Sequence, residues 1–306
     1  MKFLGLGLLA LFCFGCATPA RQTEAVLRDS QGRPPVQQLE EVPFLDQTTG
    51  HCGPATLTMV LRWAGKNVAL DDIVPEVYTP GMKGSLQTDM ISASRRNGMM
   101  AVPIEGMAAL LNEINAGHPV IIFENLGLNW APQWHYAVVL GYDLPQEQVI
   151  MHSGHEAFKH WDMSHFERSW MLGDYWGLVV VPPGQLAVSA GELANVSAAA
   201  GLEQSGQSTE ARKSYGAILK QWPQSLGALI GLGNIAYAQK NYNEAVGFLE
   251  QATTFHPATA AAWHNLAVAQ DAAGRAHDAH QSAERAVQLA SPGIRAEYQQ
   301  SLRSLL

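Results

Sequence analysis

Three side chains in this sequence carry the means for nucleophilic chemistry: Cys52, His135 and Gln47. Cys52 follows the turn-forming Thr48, Thr49 and Gly50. After it come Gly53, Pro54 and an apolar pattern at helical spacing from Ala55 to Ala64 that stops at Gly65. Proline suits a first helical turn because its missing N–H would have no helical partner there. The pattern predicts a cysteine at a helix N-terminus, where backbone N–H groups and the macrodipole favour an anion and lower a thiol's pKa. Gln47, five residues earlier, can present its amide to the same spot. With the Cys52 backbone N–H it makes a two-donor hole for an oxyanion. His135 opens the strand-like run YAVVLGYD, which follows the strand-like run PVIIFENL. A histidine at the end of a buried strand can reach a helix packed on the sheet and act as base toward the thiol. Against that stands the ordinary role of a satisfied core or edge histidine.

The elements that must position these groups resemble a known arrangement. The stretch QTTGHCGP (Gln47 to Pro54), the strand WHYAVVLGYD (Trp134 to Asp143) and the following strand QVIMHSG resemble the papain-like cysteine peptidases that clip double-glycine leaders from bacteriocin precursors. The resemblance covers residues 41–183. It implies an α+β domain in which the helix carrying the cysteine packs on an antiparallel sheet. It also implies Cys52 as nucleophile, His135 as general base and Gln47 as oxyanion donor, with no cofactor and no metal. Relatives place Asp or Asn on the strand after the histidine strand, but Val149 to Gly154 offers His152 and Ser153 instead. His152 is taken as the residue that orients His135, a weaker partner for an imidazolium than a carboxylate. Asp143 lies eight residues beyond His135, roughly 26 Å along an extended strand. Asp162 reaches the ring only through a folded-back loop. His152, His155, His160 and His165 match no standard zinc spacing. Trp130, Trp134 and Trp161 are candidates for the wall of a substrate cleft, or for the sheet core.

Cysteine placement sets the compartment. Met1-Lys2, the apolar run Phe3 to Phe14 and the ending CFGC form a secretory signal too short to span a bilayer. Its end resembles a bacterial lipobox with Cys13 in the position usually held by Leu, which makes Cys16 the acylated residue; cleavage near Ala17 or Ala20 is the alternative. Ala17 carries no inner-membrane retention aspartate, which suggests the outer membrane facing the periplasm. Of three cysteines, Cys52 would then be the one thiol of the mature chain. Residues 17–40, rich in proline and polar residues, read as a flexible tether.

After the linker 184–191 the chain changes character. Alanine rises, and Pro223, Pro257 and Pro292 recur at intervals of 34 and 35 residues. Ala211, Ala245 and Ala279 align, as do Ile218, Ala252 and Ala286. Residues 192–306 therefore resemble three tetratricopeptide repeats, an all-α solenoid whose groove binds peptides or partner proteins. The net charge of −8 comes without a Lys/Arg run, which argues against nucleic acid as a partner. Two functions follow from these pieces. One is an envelope-anchored cysteine peptidase that cleaves a peptide or protein recruited through its repeats. The other is a catalytically impaired papain-like lipoprotein acting in protein binding or assembly. Acyl transfer or amide hydrolysis on a non-peptide would use the same residues.

Overall fold

The computed structural model describes residues 19–29, 32–47 and 50–304; the signal segment and Cys16 lie outside them. The N-terminal half runs α1 (Arg21–Arg28), β1 (Val36–Gln38), α2 (Cys52–Trp63), α3 (Leu70–Val77), β2 (Tyr78–Thr79), β3 (Gly84–Ser85), α4 (Gln87–Arg96), β4 (Met100–Glu105), α5 (Met107–Asn115), β5 (Val120–Asn125), β6 (Trp134–Asp143), β7 (Gln148–Ser153), β8 (Glu156–Asp162), α6 (Met163–Met171) and β9 (Trp176–Val181). Seven strands form one sheet in the order β4-β9-β5-β6-β7-β8, with β1 pairing β6 beside β5. Every pairing is antiparallel.

The sheet is covered on both faces, which is why β6 reads as continuous apolar sequence rather than alternating. From Tyr136 to Asp143 every β6 residue is buried. Tyr136 points to the side of α2, where its hydroxyl donates to the Ser85 carbonyl over the start of that helix. Glu124 points the other way, where the Ser169 hydroxyl of α6 donates to it. Residues 53–61 of α2 are all buried, the signature of a helix enclosed by sheet and neighbouring helices rather than laid on a surface. The α+β class expected from the sequence is what the chain forms.

The reading of residues 17–40 as a tether is corrected. Ala20, Thr23 and Val26 are buried. The Glu167 carboxylate accepts the first N–H groups of α1, from Gln22 at 3.0 Å and Thr23 at 2.6 Å. These donors have no helical acceptor, and a carboxylate is the favoured partner at a helix N-terminus. Gln22 in turn accepts from the Met107 N–H at the start of α5, and β1 adds a short strand to β6. The domain therefore includes α1 and β1, which lie ahead of residue 41.

The C-terminal half is helical: α7 (Glu192–Gln204), α8 (Ser208–Gln221), α9 (Leu226–Ala238), α10 (Tyr242–Phe255), α11 (Ala260–Ala272), α12 (Ala276–Leu289) and α13 (Pro292–Ser304). They make three helix pairs and a terminal helix. Small residues let successive pairs approach closely: a Cβ on Gly231 of α9 would overlap the Tyr215 ring of α8. The first pair does not hang on a free linker. Ala198, Ala199, Leu202, Ala211 and Ile218 share one apolar core with the sheet domain, and within the linker Ser189 donates to buried Glu113 through both N–H and hydroxyl.

Candidate active site

Cys52 is the first residue of α2 and half-buried. It opens on a cleft of about 610 Å³ together with Gln47, Ser85, Trp134 and His135. The segment before α2 is tied to the end of β7. The Gln47 N–H donates to the Gly154 carbonyl at 3.2 Å, and the Gly154 N–H donates to Gln47 Oε1 at 3.3 Å. That second bond fixes the amide. Gln47 Nε2, 4% exposed as a residue, is left with no partner among the described residues. A buried amide donor without a partner is costly unless something else fills the position. Gly53 is required by close approach, since a Cβ there would collide with the Ser85 side chain.

His135 lies on β6 opposite Glu124 of β5, and its Nε2 is 3.1 Å from Ser153 Oγ. With Nε2–H donating to that hydroxyl, the other ring nitrogen is free to take a proton. Trp134 stacks on Phe123 with centroids 5.0 Å apart and forms part of the cleft wall.

The electrostatics differ from the sequence expectation. Cys52 was expected to be acidified by its helix terminus. Instead burial pushes the thiol up, and the backbone N–H groups of Tyr136, Gly53 and Cys52 offset this only in part. Burial also pushes the His135 imidazole down to about 4, with Lys159 acting in the same direction. The resting pair is a neutral thiol and a neutral imidazole, so the proton must move during attack rather than before it.

The assignment of His152 as orienter is corrected. Its Nε2 lies 3.1 Å from the Val42 carbonyl, its Nδ1 accepts from the Phe158 N–H at 3.1 Å, and the side chain is fully buried. It pairs with Val138 across β6–β7, so it faces the side opposite His135. Ser153, the next residue, takes the position beside the ring. The bulge between Val139 and Gly141 shifts the register, and sequence alone does not reveal it. Glu124, in the strand PVIIFENL, is a buried carboxyl that the sequence did not single out. Of the three tryptophans, Trp134 lines the cleft, whereas Trp130 is exposed and Trp161 lies on β8 under Lys159. His155, His160 and His165 are exposed and separately paired with Asp46, Gln148 and Asp162.

Residues 39–175 match the Peptidase_C39 like family, and residues 202–270 match a tetratricopeptide repeat family. A putative C39-like peptidase from Bacillus anthracis is 20% identical over 48% of this chain and 97% of its own, with a TM-score of 0.41. The peptidase domain of Streptococcus ComA, a bi-functional ABC transporter involved in quorum sensing, is 19% identical over 46% of this chain and 98% of its own, with a TM-score of 0.39. MamA from Desulfovibrio magneticus RS-1 is 23% identical over 38% of this chain and 64% of its own, with a TM-score of 0.34. No curated protein matches the chain significantly. The chain therefore carries a peptidase C39-like domain, matched over residues 39–175, followed by tetratricopeptide repeats, matched over residues 202–270.

Proposed function

We propose that the protein is a cysteine peptidase of the bacterial envelope in which Cys52 attacks a peptide carbonyl, His135 takes the thiol proton and returns it to the leaving amine, and Gln47 with the Cys52 N–H holds the oxyanion. The observation that carries this reading is the Gln47 amide. It is clamped through its oxygen to Gly154, and its NH₂, in the cleft that Cys52 also lines, is buried without a partner among the described residues. Donors preset at the site of developing charge stabilise a transition state with little reorganisation. The repeats recruit the substrate or a protein partner. Turnover of a fluorogenic peptide library by the intact chain, abolished in Cys52→Ala, tests the activity. Equal turnover by both proteins refutes it.

Two observations favour the alternative of a binding or assembly protein: a serine, not a carboxylate, meets His135, and the resting pair is neutral. On that reading wild type and Cys52→Ala bind peptides alike and neither forms a thioester.

The envelope assignment rests on the sequence around Cys16. Because α1 is docked from Arg21 onward, acylation at Cys16 leaves only a few residues, each spanning about 3.4 Å, between the lipid and the folded domain. The peptidase domain would then sit against the outer membrane rather than at the end of a long tether. Labelling with an alkyne fatty acid should mark the wild type and not Cys16→Ser; equal labelling refutes the anchor.

A further inference from the structure

Glu124 has no role in the mechanism described so far, and its surroundings are unusual. It is fully buried on β5. Its Oε2 accepts from the Ser169 hydroxyl at 2.6 Å, and its Oε1 has no partner among the described residues. Its Cα partner across the β5–β6 ladder is His135. Residues directly opposite each other in an antiparallel pair carry their side chains on the same face, with Cβ atoms about 4.5–5.5 Å apart. A carboxyl with an unused oxygen therefore shares a buried face with the imidazole, on the flank opposite Ser153.

We propose that Glu124 is a positioning residue for His135, supplying from the neighbouring strand the negative charge that steadies the imidazolium in a site whose position 153 is serine. The inference rests on the peptidase reading and deepens it. As the Cys52 sulfur bonds to the substrate carbonyl, its proton passes to His135. The imidazolium so formed lies beside Glu124, and the proton later leaves on the amine. Glu124 gives up its own proton to solvent beforehand and takes no part in the transfer.

Other groups around Glu124 fit this role. Lys159, on β8, lowers the proton affinity of both Glu124 and His135, and is itself paired with Glu156 at 2.9 Å. From α6 the neighbour is the neutral Ser169 hydroxyl; Glu167 on that helix is engaged by the N-terminus of α1. Burial pushes Glu124 up to about 7, so its charge appears with rising pH in the range where the enzyme would work.

The test is the rate at which an activated ester acylates Cys52, followed against pH in the full chain. In wild type the rate should rise through the neutral range as Glu124 ionises. Glu124→Gln should lose that limb and fall by about tenfold or more on its alkaline side, the order of effect of removing one nearby charge from a partly buried site. Ser153→Asp placed in the Glu124→Gln background should restore the rate, which a merely structural role for Glu124 would not allow. Ser169→Ala, which removes a hydrogen bond to the ionised form, should move the limb to higher pH, and it serves if Glu124→Gln does not fold. A Glu124→Gln profile identical to wild type, while His135→Ala abolishes acylation, overturns the proposal and leaves the peptidase reading standing. Acylation insensitive to His135→Ala overturns both.

Discussion

Replacing Ser153 by aspartate should convert the resting site from a neutral pair toward an ion pair. Ser153 Oγ lies 3.1 Å from His135 Nε2, so a carboxylate there would sit within hydrogen-bond reach of the ring. A unit charge about 4 Å away contributes about 4 kcal/mol at an effective dielectric near 20. Burial at a position only 6% exposed takes back part of that. What remains is a rise in the His135 pKa of about 1–3 units from a starting point pushed down to about 4. Each unit multiplies the thiolate–imidazolium population tenfold, so alkylation of Cys52 by iodoacetamide at about pH 6 should accelerate by about 10- to 1,000-fold. The His135 ring titration, read by NMR, should move upward in parallel. A variant that melts as a folded protein, yet shows neither the shifted titration nor the faster alkylation, would refute the reasoning that Ser153 holds the orienting position.

Three further outcomes are expected. Gln47→Ala should lower kcat by about 10²–10³ with little change in KM, because the amide acts on the oxyanion and not on the bound peptide; an equal loss in a variant that melts early would point to a structural role instead. Glu167→Ala leaves the Gln22 and Thr23 N–H groups without their acceptor and should cost about 1–3 kcal/mol, seen as faster tryptic cleavage at Arg28; unchanged cleavage would mean that α1 is held by its apolar face alone. Glu124→Gln should change stability in a pH-dependent way. Glu124 keeps its proton up to about 7 in the fold against an ordinary 4.5, so its contribution to wild-type stability is present below pH 4.5 and is lost as pH rises through 7. Relative to wild type the variant should therefore gain up to about 3 kcal/mol across that window, and urea titrations giving the same difference on both sides of it would contradict the buried, proton-holding state.

The parts legible in the sequence were those written in local pattern. Gly53-Pro54 and the apolar run behind them announce a buried helix starting at Cys52, and the 34- and 35-residue proline spacing announces the solenoid. What was not legible depends on pairings distant in the chain. The segment 20–28 looks like a tether by composition, but it is docked by one carboxylate about 144 residues away. His152 and Ser153 are adjacent, and which of them faces His135 turns on a one-residue slip at a bulge, which exchanges the two faces of a strand. The Cys52 thiol illustrates a third kind of miss. The helix terminus that lowers its pKa was readable, whereas the burial that outweighs it was not.

The central claim is that Cys52, His135 and Gln47 act together on a carbonyl. Its most direct test is intact-mass measurement of acyl transfer from an activated ester to the full chain near neutral pH. The account predicts one acyl group on Cys52 in wild type, and initial rates about 10²-fold or more lower in both His135→Ala and Gln47→Ala. Acylation of Cys52 at the same rate in all three proteins would mean an ordinary accessible thiol, and would contradict the account.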